Sequence, residues 1–64
     1  MRIKNGETYG QFLIRLRQTA HLTQRELGLR LGFSNHSICS WEKGISEPIK
    51  PSKREIDRLA EKIN

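Results

Sequence analysis

The chain has 64 residues, 34% hydrophobic and 30% charged. It is expected to fold as one small domain rather than remain disordered, and burying only about 60% of the unfolded surface leaves little volume for an enclosed active site. Twelve Lys and Arg against seven Asp and Glu give a net charge of +5, a balance that favours polyanionic partners.

Residues 1 to 7 lack a helical signal and are expected as a flexible arm, frayed rather than serving as a basic tail. Thr8-Tyr-Gly-Gln11 is a capping box, in which a hydroxyl serves one free amide and a Gln or Glu side chain reaches back to another. It predicts a helix over about 8–21, with Tyr9, Phe12, Leu13, Leu16 and Ala20 on one apolar stripe. Thr23-Gln-Arg-Glu26 is a second box, opening a helix over 24–31 whose Leu27 and Leu31 lie one turn apart. Gly32 is the expected left-handed stop. Ser34 can cap a third helix over 35–43, ended in the same way by Gly44.

Pro48 and Pro51 suggest a stiff, ordered loop from Gly44 to Ser52. Ser52-Lys-Arg-Glu55 is a third box, predicting a last helix over 53–63 with Ile56, Leu59, Ala60 and Ile63 on its inner stripe. Nothing alternates like a strand. The expected fold class is all-α, a compact bundle of four or five short helices in a single domain spanning 1–64, with a core that includes Leu13, Leu16, Leu27, Leu31, Ile38, Trp41 and Leu59. Ile14 and Leu29 fall off the stripes and are expected to be exposed.

Cys39 is the only cysteine, so the chain forms no internal disulfide, and a reducing compartment is expected. No apolar run approaches the roughly 20 residues that span a bilayer, and no secretory h-region stands at the N-terminus. The expected location is cytoplasmic, without a membrane partner. His36 and Cys39 share a helix face, but two ligands fall short of a zinc site and lack the third orienting group of a catalytic set. No metal, cofactor or enzymatic activity is expected.

Two short helices joined by a three-residue turn with a glycine form a helix-turn-helix, whose second helix protrudes far enough to enter a major groove. Ile38 and Trp41 would anchor its inner face, leaving Asn35, His36, Cys39, Ser40 and Lys43 outward. Asn bonds adenine in bidentate fashion, Ser and His pair with base edges, and Lys reaches phosphate.

Leu22-Thr-Gln-Arg-Glu-Leu27, Leu31-Gly-Phe-Ser34, Ile38, Trp41-Glu-Lys-Gly44 and Pro48, with the Leu16-Arg17 pair, resemble the Cro/CI-type (XRE-like) helix-turn-helix family of phage repressors and bacterial transcription factors. The resemblance covers roughly residues 8 to 63 and implies a lambda-repressor-like DNA-binding domain. It assigns base reading to Asn35, His36 and Ser40, with Ser37 and Cys39 as flanking base or backbone contacts. Thr23, Gln24, Ser34, Lys43, Lys50 and Lys53 fall where phosphate is gripped, and Gln24 where relatives often brace the first side chain of the recognition helix. Arg17 and Glu42 fall where several relatives form a partly buried ion pair.

The implied function is a sequence-specific double-stranded DNA-binding transcriptional regulator, a repressor or autorepressor encoded by a bacterium or phage. It would bind a short inverted-repeat operator as a homodimer. The alternative is an antitoxin or adaptor-type module that keeps the fold and binds a protein partner. Two positions depart from the family. Gly28 stands where alanine is usual, and His21 where glycine or asparagine is common, so a strained or differently shaped turn is expected after the first helix. Relatives often add a fifth helix used in dimerisation.

Overall fold

Hydroxyl side chains start three of the four helices. In the computed structural model, which describes residues 1–63, these are α1 (Tyr9–Thr19), α2 (Gln24–Leu31) and α3 (Asn35–Lys43), followed by α4 (Lys50–Glu61). The described residues contain no strand. Thr8 Oγ1 accepts from the Gln11 amide at 3.1 Å while the Gln11 side chain accepts from the Thr8 amide at 3.0 Å. Thr23 and Glu26 repeat the exchange at 3.1 and 2.9 Å. Ser34 Oγ accepts from the Ser37 amide at 3.1 Å and so opens α3.

The same three helices end alike. Leu22 donates to the Arg17 carbonyl at 2.9 Å, Phe33 to Gly28 at 2.8 Å and Ile45 to Ser40 at 3.0 Å, the long-range bond that closes a Schellman turn. Each needs a left-handed residue just before the donor. Gly32 (φ 80) and Gly44 (φ 76) supply it without strain, but after α1 the residue is His21 (φ 58). That reversal stops α1 at Thr19 rather than at residue 21.

α4 departs further from expectation. It begins at Lys50, the Ser52 box does not form, and the cap residue Ile49 offers no side-chain bond. Lys53 already donates to the Ile49 carbonyl at 2.9 Å, and Ser52 is buried inside the first turn. Pro51 stands within that turn, where an amide would lack a helical partner anyway and its fixed φ suits the helix. A proline read as a loop signal is therefore part of the helix start. The helix closes at Glu61, short of 63.

The core draws on all four helices: Phe12, Leu13 and Leu16 of α1, Leu27 and Leu31 of α2, Ile38 and Trp41 of α3, and Ile56 and Ala60 of α4. Leu59 is half-buried at its edge, because Ile56 and Ala60 take the inward row of α4. Ile14 is likewise half-buried rather than exposed, whereas Leu29 is 74% exposed. α3 packs on α1 and α2, and α4 packs on α2. No helix among the described residues is long and apolar enough to cross a membrane.

Residues 1 to 7, expected as a loose arm, lie against this core. Met1 and Ile3 pack on it, and the Met1 amino group donates to the carbonyls of Ala60 and Ile63 at 3.0 and 3.1 Å. Arg15 fastens the other end: its Nε and Nη2 donate to Glu7 at 2.9 and 2.8 Å, and Nη2 also reaches the Arg2 carbonyl at 2.7 Å. The Arg15 guanidinium, helped by the Lys4 amide, pulls the Glu7 carboxyl from the usual 4.5 to about 2. These partners are supplied by tertiary contact, so helical periodicity gave no sign of them.

Candidate nucleic-acid interface

α3 is held from behind and free in front. Ile38 is fully buried and Trp41 nearly so, and Phe33 in the preceding turn meets the Trp41 ring edge-on, with centroids 5.2 Å apart and planes at 78°. Backbone approaches tighten the mount. A Cβ added at Gly28 would stand 2.6 Å from the Phe33 carbonyl oxygen, so the turn rides directly on α2. At Gly10 an added Cβ would collide with the Trp41 carbonyl oxygen, so α1 crosses α3 with nothing between. Alanine at Gly28 would therefore press on the turn itself.

On the free side, Asn35, His36 and Lys43 are exposed, while Ser37, Cys39 and Ser40 are half-buried. The side chains there are short and polar up to Lys43. Two concavities lie elsewhere, one lined by Met1, Arg2, Ile3, Asp57 and Glu61 and another by Leu22, Glu26, Leu29 and Arg30. No cluster of three or more His, Cys, Asp or Glu among the described residues is placed to hold a metal ion.

The hydroxyls expected to hold phosphate already carry structural bonds. Thr23 Oγ1 accepts from the Glu26 amide, and Ser34 Oγ accepts from the Ser37 amide and donates to Ser37 Oγ at 3.0 Å. The Thr23 amide, and then its hydroxyl, hold the Glu26 carboxyl below the usual carboxylate range, which fixes the first turn of α2. Lys43 closes α3, and Lys50, also exposed, opens α4. Lys53 is engaged over the Tyr9 ring, with Nζ 4.9 Å from the centroid.

Behind the interface, Arg17 forks onto Glu42, Nε to Oε2 at 2.9 Å and Nη2 to Oε1 at 3.2 Å, while Nη1 reaches the Leu22 carbonyl at 3.3 Å. The Glu42 side chain is only 5% exposed and that of Arg17 is 22% exposed. Gln24 departs from the resemblance. Its Nε2 donates to Glu42 Oε1 at 3.0 Å, so it is tied to the last turn of α3 and not to Asn35 at the first. An ionised carboxylate with lone pairs to spare outcompetes a neutral amide for that N–H.

Sequence reasoning missed Gly10, Phe33 and this role of Gln24. A glycine inside the first turn of a capped helix is a signal of close backbone approach. The Gln24 contact leaves no such trace, since it joins residues 18 apart in the chain. No family model, curated protein or solved structure matches this chain.

Proposed function

We propose that the protein is a sequence-specific double-stranded DNA-binding transcriptional regulator, a repressor or autorepressor of lambda-repressor-like, helix-turn-helix design. One observation carries the reading: the outward face of α3 offers Asn35, His36, Ser40 and Lys43 on a helix pinned from behind by Ile38 and Trp41. Short amide, hydroxyl and imidazole groups suit base edges, and a terminal lysine suits phosphate. The net charge of +5 favours approach to a polyanion.

The α2–α3 pair would seat α3 in the major groove, and a homodimer would set two such helices about 34 Å apart on an inverted repeat. Gln24, at the first position of α2, lies where free amides and the helix dipole favour an anion. An antitoxin or adaptor-type module is the second reading. It is favoured by Leu29, Ile45 and Ile49, which are 74%, 74% and 69% exposed.

Selection from randomised duplexes, with sizing of the bound complex, tests the first reading against the second. A regulator selects a short inverted repeat, binds it two chains at a time and weakens steeply with salt. Lys43→Ala then weakens all duplexes alike and reduces the salt slope by about one. Weak affinity with no sequence preference refutes the regulator and leaves the protein-partner reading.

A further inference from the structure

The carboxylate of Glu42 touches three helices at once. It belongs to α3, accepts the fork of Arg17 from α1, and accepts the side-chain amide of Gln24 from α2. We infer that Glu42 is a positioning residue for DNA binding: it holds the Gln24 amide in one pose, ready to meet a DNA phosphate, so that the ion pair inside the fold also prepares the surface. The inference rests on the regulator reading above.

Three features lead there. The Gln24 amide is oriented by chemistry, because an ionised carboxylate only accepts and must face Nε2 rather than the amide oxygen. One amide hydrogen is used in that bond, and among the described residues the other has no protein partner, leaving a donor for an anion. Finally, Glu42 is itself held by two bonds from Arg17 and almost fully buried. A long, flexible side chain at the head of α2 is therefore ordered before any ligand arrives. Gln side chains lose much rotamer freedom when fixed, and having lost it beforehand favours binding.

The test is a double-mutant cycle on the selected duplex, at a temperature where circular dichroism shows every variant folded. Gln24→Ala and Glu42→Gln should each weaken binding roughly two- to tenfold, and the double variant no more than the weaker-binding single. Because Gln24 is neutral, its loss should leave the salt slope and the sequence preference unchanged, which partial unfolding would not do. Losses that multiply, or an unchanged affinity in Glu42→Gln, overturn the proposal while leaving the regulator reading intact. A wild-type chain that binds no duplex overturns both.

If Glu42→Gln does not fold, relaxation of the Gln24 side-chain amide in the free wild-type protein decides. An amide as rigid as the helix backbone supports the assignment, and one that averages freely on the ps–ns timescale overturns it.

Discussion

Two arginines two residues apart on α1 make the same chemical object in different places. Arg15 forks onto Glu7 at 2.8 and 2.9 Å and holds the N-terminal segment, whereas Arg17 forks onto Glu42 at 2.9 and 3.2 Å and holds the junction of α1, α2 and α3. Their surroundings differ. The Glu42 carboxylate is 5% exposed and shared with Gln24, while Glu7 is 12% exposed and its partner Arg15 29%. Geometry alone therefore does not set the worth of an ion pair. What matters is which groups lose a partner when it breaks, and whether water can take the place.

Cutting the inner fork should have the largest effect. Arg17→Ala leaves a buried carboxylate without its cation, a loss of about 3–5 kcal/mol at depth and near the lower end here because Arg17 keeps some exposure. For a domain of this size that lowers the melting midpoint by about 12 °C or more. Glu42→Ala should act similarly, and an unchanged midpoint for both would break the comparison.

The second test concerns the close approach of the turn before α3 to α2. Gly28→Ala raises helix propensity by about 1 kcal/mol, yet the new Cβ meets a backbone oxygen that cannot swing aside, at about 1–3 kcal/mol. The net expectation is a loss of up to about 2 kcal/mol in chemical denaturation. A stabilised variant would show that the turn has room after all.

His21 sharpens the comparison from the other end of α1, since its left-handed backbone turns the chain so that the Leu22 carbonyl can meet Arg17. A side chain in that region is unfavourable by about 1–2 kcal/mol, and glycine gives back part of this through its freer unfolded chain. His21→Gly is expected to stabilise by about 0.5–1 kcal/mol in the same denaturation measurement. Destabilisation would mean that the imidazole makes a contact that offsets the strain.

The outer fork should show itself chiefly through pH. Glu7 titrates near 2 in the folded chain and at an ordinary 4.5 when free. A lowered folded value means that its stabilisation is full above about pH 4.5, declines below it, and is gone once the pH has fallen through 2. Melting midpoints of the wild type and Glu7→Gln should differ by a constant amount above pH 5 and converge near pH 2. A Glu7 carboxyl carbon that titrates at 4.5 by NMR would contradict the latch.

The two regions also differ in how far they were legible. Thr8, Thr23, Ser34, Gly32 and Gly44 announce α1 to α3 because caps and left-handed stops act within a few residues, and Ile38 and Trp41 are read from their spacing alone. Pro51 misled because the same residue ends a helix from inside and suits its first turn. The seating of Met1 joins residues 59 and 62 apart in sequence, and Glu7 meets Arg15 from outside any helix, so neither has a periodic signature. The Arg17 and Glu42 pair was reached through family resemblance, since 25 residues separate its members. Gln24 was assigned an anion contact, but its tether to Glu42 depended on how three helices meet.

The central claim is that the outward face of α3 reads bases, and its most direct test is the discrimination ratio of Asn35→Ala. Affinity for the selected duplex is compared with affinity for duplexes changed one base pair at a time, in the wild type and in the variant. One wrong base should cost the wild type about 1–3 kcal/mol, and the variant should lose that penalty at one position per half-site while keeping it at the others. A variant that discriminates as the wild type does at every position would contradict the account.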